Sequence, residues 1–132
     1  GTTKAEMARA VMEGICYELK VVLDHQLKCG VTLSGIRLAG GATRSPMWCQ
    51  MFADIFQTPI LVTTAEEAAC LGAALIGGIG VGIFKDAADA SKQACRIDRT
   101  FQPNPENFAA YDAAYARYNK LYDALSSGYY ND

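Results

Sequence analysis

Several marks of functional class are missing from this 132-residue sequence. There is no cluster of Lys or Arg: 12 basic residues are scattered among 14 acidic ones, for a net charge of −2. Nucleic acids are held through grouped cations, so a nucleic-acid partner is not expected. There is one histidine, and the five cysteines (Cys16, Cys29, Cys49, Cys70 and Cys95) are odd in number with no CxxC pair. That speaks against a disulfide framework or a zinc site, and free thiols in a reducing cytoplasm are the expectation. A catalytic thiol would need an activating base beside it. Long apolar runs are also lacking. The longest uncharged stretch, residues 68–84, falls short of the ~20 residues that cross a bilayer and holds five glycines. The polar beginning reads as a helix start rather than a secretion signal, so no membrane partner is expected. Neither GxGxxG nor a Walker A loop occurs.

What is present is a globular composition, 51% apolar and 20% charged, enough for one domain or a piece of one. Residues 3–28 predict a long helix. Thr3 and Glu6 have capping-box spacing and Gly30 closes the end. Met7, Val11, Ile15, Leu19 and Val22 form its expected buried stripe, widened by Met12, Cys16, Leu23 and Leu27. At ~39 Å, such a helix outreaches a small domain, and something further is expected to pack on it. Residues 35–39 read as a strand. Ser45 then caps a helix with Pro46 first and Trp48, Met51, Phe52 and Ile55 on its buried face. Residues 60–63 read as a central strand. Thr64 and Glu67 predict a capping box for a helix over 65–77, with Ala69, Gly72, Ala73 and Ile76 on a close-packing face and a turn over 78–82. A short helix over 86–95, an extended segment over 97–101 and a last helix over 105–125 follow. That last helix carries Phe108, Tyr111, Tyr115, Tyr118 and Tyr122, and residues 126–132 read as a mobile tail. The tyrosines at this spacing read as packing rather than as a stacking platform for a base or sugar.

Alternating helices and strands predict an α/β fold: a short, mostly parallel sheet edge with flanking helices. Two or three strands make a poor sheet alone, so further strands are expected upstream. A domain cut mid-sheet exposes apolar surface, and a homo-oligomer is one expected consequence.

Gly40-Gly41-Ala42-Thr43-Arg44-Ser45 stands between a strand's C-terminal end and a helix start. Ligands of open α/β sheets collect there. Adjacent glycines let a ligand approach the backbone, and the helix start offers free N–H groups. The same residues also make a tight turn that needs glycine for geometry alone, and the segment's own chemistry leaves both readings open.

Longer strings carry a resemblance. The stretch from Arg9 to Leu19, the stretch from Ile36 to Asp54 (with Gly40-Gly41-Ala42, Ser45-Pro46, Trp48, Gln50 and Ala53-Asp54), the stretch from Glu66 to Leu75, Val81-Gly82-Ile83-Phe84 and Pro103-Asn104-Pro105 follow one another in the order found in FGGY-family carbohydrate kinases. The sequence most resembles the pentulose kinases of that family, such as xylulose kinase. The resemblance implies a part of an actin-like, ribonuclease H-like ATPase domain, with residues 1–132 as a C-terminal, nucleotide-binding portion. It implies an enzyme that moves the γ-phosphoryl group of ATP, with Mg²⁺, to a sugar hydroxyl. By position it assigns Gly40 and Gly41 to the nucleotide's phosphate and ribose, Ala42 to the space beside the base, and Ser45 to the adenine. Ala39 departs from the glycine or acid common in the family. The resemblance places the catalytic base, the Mg²⁺ ligands and most of the sugar site outside this chain. A stand-alone nucleotide- or small-ligand-binding module, and a structural domain, are the competing readings.

Three further residues invite a role and are not given one. Asp54 reads as a surface or hydrogen-bonding residue off the apolar face of its helix. Glu13 reads as pairing with a neighbour or capping a loop. His25, near a helix end, reads as solvated.

Overall fold

A computed structural model describes residues 1–65 and 67–129, the side chains of 126–129 excepted. In chain order the elements are α1 (Lys4–Lys28), β1 (Ile36–Leu38), a 3₁₀ turn (Gly41–Arg44), α2 (Pro46–Phe56), β2 (Ile60–Thr63) and α3 (Ala68–Gly80). They continue with α4 (Ala87–Ala94), β3 (Ile97–Phe101), a second 3₁₀ turn (Pro105–Asn107) and α5 (Phe108–Tyr129). The sheet order is β1-β2-β3. β1 and β2 are parallel, with Ile36 opposite Ile60 and Leu38 opposite Val62, as the intervening helix requires. β3 runs antiparallel to β2, with Arg99 opposite Val62, so the small sheet is mixed rather than mostly parallel.

Local capping chemistry set most boundaries. The Thr3 hydroxyl accepts from the Glu6 amide at 3.2 Å, and the Glu6 carboxylate accepts from the Thr3 amide at 2.7 Å, which closes the capping box of α1. Ser45 accepts from the Trp48 amide at 3.3 Å, with Pro46 in the first turn of α2. Gln57, at φ 53°, takes the left-handed conformation that ends α2.

The core gathers where α1, α2 and α5 meet one face of the sheet. Cys16, Cys49, Phe52, Ile55, Ile60 and Val62 are fully buried there. Tyr17 of α1 packs against both Tyr115 and Tyr118 of α5, with ring centroids 5.9 and 5.7 Å away. The tyrosine stripe is thus packing at Tyr111, Tyr115 and Tyr118, while Tyr122 is half exposed.

Four expectations need correction. The stripe expected to bury α1 faces outward: Met7 and Val11 are 61% and 65% exposed, and Ile15, Leu19 and Val22 are all above 40%. The buried face holds Cys16 and Leu23, expected only as the stripe's widening, together with Tyr17, which was not expected there. α1 is apolar on both sides, and the tyrosine contact with α5 decides which side turns in. α3 begins at Ala68, not 65. The Thr64 amide donates to the Arg96 carbonyl at 3.0 Å, just past the ends of β2 and β3, so it is already engaged and not free for a capping box. Glu66 lies outside the described residues. The expected close-packing face of α3 is open, with Ala69 and Ala73 exposed and Ile76 73% exposed, and the helix runs on to Gly80 with Gly78 buried. Finally, α5 continues to Tyr129, so the tail expected from residue 126 is helical there. Residues 130–132 lie outside the described residues.

Candidate functional site

The Gly40–Ser45 segment leaves the C-terminal end of β1 and delivers the chain to α2. Gly40 has φ 85° and ψ −166°, a conformation essentially reserved for glycine. Its carbonyl accepts from the Thr43 amide at 3.0 Å and from the Thr43 hydroxyl at 2.7 Å. The Ala42 carbonyl accepts from the Ser45 amide at 3.2 Å and faces the Cys49 thiol at 3.6 Å. The Thr43 carbonyl accepts from Arg99 Nη2 at 2.9 Å. The carbonyls of Gly40, Ala42 and Thr43 are therefore all engaged.

The amide side of the turn differs. Gly41 is exposed, its φ is not positive, and a Cβ built on it meets nothing within 4 Å. Neither the backbone nor a neighbour demands glycine at position 41. No acceptor among the described residues meets the N–H of Gly41 or Ala42. The Ala42 side chain is half-buried against the core, and the Ser45 hydroxyl is already accepting its cap bond. The turn thus brings Gly40, Gly41, Ala42 and Ser45 together, with open N–H groups at Gly41 and Ala42 and a side-chain-free surface at Gly41.

Beside the turn lies an open cavity of about 400 Å³, lined by Thr43, Arg44, Val62, Thr63, Thr64, Asp98 and Arg99. Two guanidinium groups, the Asp98 carboxylate and three threonines give it a polar, hydrogen-bonding wall, in which Arg99 pairs with Asp98 at 3.1 Å and Arg44 with Glu67 at 3.7 Å. Sequence reasoning missed this wall. Arg44 and Arg99 are 55 positions apart, and only the β2–β3 ladder joins them.

The remaining candidates resolve into structure. Asp54 is 2% exposed, not a surface residue. Its Oδ1 accepts from Gln50 Nε2 at 2.7 Å and from the Asn104 amide at 2.8 Å, and its Oδ2 accepts from Asn107 Nδ2 at 2.7 Å. It clamps α2 to the start of α5. Glu13 accepts from Arg9 Nε at 2.7 Å, and Arg9 Nη2 reaches the Tyr111 hydroxyl at 2.8 Å. His25 is exposed, its Nδ1 2.7 Å from the Val21 carbonyl. Burial pushes the Cys16 thiol up to about 12 and raises that of Cys49, which suits inert core thiols. Among the described residues, no group of His, Cys, Asp and Glu side chains has the arrangement of a metal site, and no helix is long and apolar enough to cross a membrane.

Residues 1–81, which hold α1, the turn and α2, match the model of the FGGY family of carbohydrate kinases, C-terminal domain. The chain belongs to this family. A xylulose kinase of Staphylococcus epidermidis is 36% identical over 120 residues, 91% of this chain and 24% of the relative. A probable L-xylulose kinase of Pasteurella multocida is 36% identical over 125 residues, 95% of this chain and 25% of the relative. Ligand-bound xylulose kinase from Lactobacillus acidophilus superposes with a TM-score of 0.83 at 28% identity, covering 98% of this chain and 27% of that one. Plasmodium falciparum glycerol kinase, solved with ADP, superposes with a TM-score of 0.70 at 27% identity, covering 94% of this chain and 26% of that one. The chain spans about a quarter of the length of the curated relatives it matches.

Proposed function

We propose that this FGGY-family chain is the later, nucleotide-binding portion of an actin-like domain in a sugar kinase, and that the Gly40–Ser45 turn is one wall of its ATP site. The observation that carries the reading is Gly41. Turn geometry accounts for Gly40, but nothing in the fold accounts for the missing side chain one residue later. A nucleotide at the open N–H groups of Gly41 and Ala42 accounts for it.

Gly40 and Gly41 would lie against the phosphate and ribose, and Ala42 and Ser45 toward the base. ATP supplies the phosphoryl group. The chain's own residues bind and orient the nucleotide, and the ends of three carbonyl hydrogen bonds hold the turn still while they do so. The phosphoryl acceptor is a sugar hydroxyl, with a pentulose favoured by the xylulose-kinase relatives. The base that takes the hydroxyl proton, the Mg²⁺ ligands and most sugar contacts are assigned to the rest of the enzyme. The exposed apolar face of α1 is assigned to contacts with that remainder.

Gly41→Val in the full-length enzyme is the test. The added isopropyl group projects into the open space that the nucleotide would use. KM for ATP should rise roughly tenfold, the worth of one lost close approach, while KM for the sugar stays put. An unchanged KM for ATP would return the turn to a purely structural role.

A further inference from the structure

We infer that Arg99 is a positioning residue for the nucleotide turn, holding the carbonyl end of the turn so that its amide end faces the ligand. The inference rests on the ATP-site reading above. Arg99 stands in β3, beyond the residues that match the family model. β3 is nevertheless placed to reach the turn, because its antiparallel register sets Arg99 opposite Val62 on the central strand.

Three contacts fix the guanidinium. Nη2 donates to the Thr43 carbonyl at 2.9 Å, Nε donates to Asp98 Oδ2 at 3.1 Å, and the group lies 5.9 Å from the Phe101 ring centroid. The planar fork of arginine allows these bonds to form together. Thr43 is the third of the turn's four residues, and its carbonyl is among those a helical end leaves without an internal partner. Without Arg99, that carbonyl keeps only the Cys49 thiol, a weak donor at 3.9 Å. A four-residue turn is too short to stay rigid by itself. Losing the anchor at its carbonyl end lets the Gly41 and Ala42 N–H groups swing off target. The guanidinium and its Asp98 partner both line the 400 Å³ cavity beside the turn, so the anchor borders the space next to the proposed site.

The test uses the full-length enzyme with Arg99→Met, Arg99→Lys, Asp98→Asn and Gly41→Val. MgADP affinity is measured by calorimetry, KM for ATP and for sugar by steady-state kinetics, and melting temperature by scanning calorimetry. Methionine keeps the apolar stem and removes the donor. Arg99→Met should weaken MgADP binding roughly tenfold, the worth of one charged hydrogen bond, and raise KM for ATP alike. KM for the sugar and the melting temperature should barely move. Lysine, which keeps a charge and one donor, should recover most of the affinity. Normal MgADP binding by Arg99→Met beside weak binding by Gly41→Val overturns the role of Arg99 and leaves the site standing. Normal binding by both overturns the site and this inference together. A joint fall in MgADP affinity, sugar KM and melting temperature, with no recovery by lysine, makes Arg99 a fold residue only. If Arg99→Met does not fold, Asp98→Asn decides: a roughly twofold to threefold rise in KM for ATP supports positioning, and none overturns it.

Discussion

Asp54 offers the sharpest test of how this chain is held together. Its carboxylate is buried and takes three hydrogen bonds from neutral donors, two of them more than 45 positions away in sequence. Truncation to alanine strands those donors. The Gln50 amide keeps its second bond, to the Gln102 carbonyl at 2.8 Å. The Asn104 amide and Asn107 Nδ2 have no such alternative. A buried stranded donor costs about 1–3 kcal/mol, and Asn104 and Asn107, being only partly covered, fall toward the low end. Water entering the neighbouring cavity of about 250 Å³, which both Asp54 and Asn107 line, offsets part of that cost. Asp54→Ala should therefore lose about 2–4 kcal/mol, a large share of the about 5–15 kcal/mol typical of a domain. Asp54→Asn keeps one oxygen for Gln50 and Asn104, and a rotated Asn107 amide can meet the new NH₂ group, so about 1–2 kcal/mol is expected. Trp48 is the one tryptophan in the sequence, and it stacks on Phe52 at 6.0 Å, so its fluorescence reports the same core. With an m-value of about 1.5 kcal/mol per M, the urea midpoint of Asp54→Ala should fall by about 1.3–2.7 M. Hydrogen exchange at the Asn104 amide should accelerate in step. A midpoint within about 0.5 M of the parent, or an asparagine variant as damaged as the alanine one, would refute the clamp.

Two further outcomes follow from the packing. A Cβ on Gly78 would sit 2.8 Å from Cδ2 and Cε2 of Phe84, so Gly78→Ala should destabilise by about 1–3 kcal/mol through overpacking, partly offset by the better helix propensity of alanine. Adding Phe84→Leu should recover most of the loss in urea melts, and no recovery would place the strain elsewhere. Burial pushes the Tyr17 hydroxyl up to about 12; burial and then the bond to Asp24 do the same for Tyr115, and the bond to Glu18 and then burial for Tyr118. Unfolded tyrosines titrate near 10, so the folded chain holds the extra protons between those values. This contribution to stability is whole below about pH 10 and is lost as pH rises through about 12. Urea midpoints should decline across that window, less steeply in Tyr118→Phe, and a flat profile would contradict the buried arrangement.

What the sequence showed was local. Thr3 with Glu6 and Ser45 with Pro46 act within one helical turn, and each appears in the fold where its chemistry puts it. What it hid was decided at a distance. Both sides of α1 carry an apolar pattern, and Tyr115 and Tyr118, about 100 positions on, choose between them. Thr64 and Glu67 have capping-box spacing, but pairing with Arg96 outweighs a cap. Asp54 has no local sign of burial because two of its three partners sit beyond β3. At the candidate site the glycines were legible from their neighbours, and the arginine behind them was not. Nothing in Ile97–Phe101 marks Arg99 until that strand is laid beside β2.

The bond from Arg99 to Thr43 also imposes an order in time. Its two ends lie 56 positions apart. On a ribosome adding ~5–20 residues per second, the glycine turn emerges on the order of several seconds before the strand that fastens it. During that interval the turn has its sequence and its cap but lacks its anchor. Nucleotide affinity at this wall should thus mature late in synthesis, after α1 and α2 have been made and shortly before α5 completes the core.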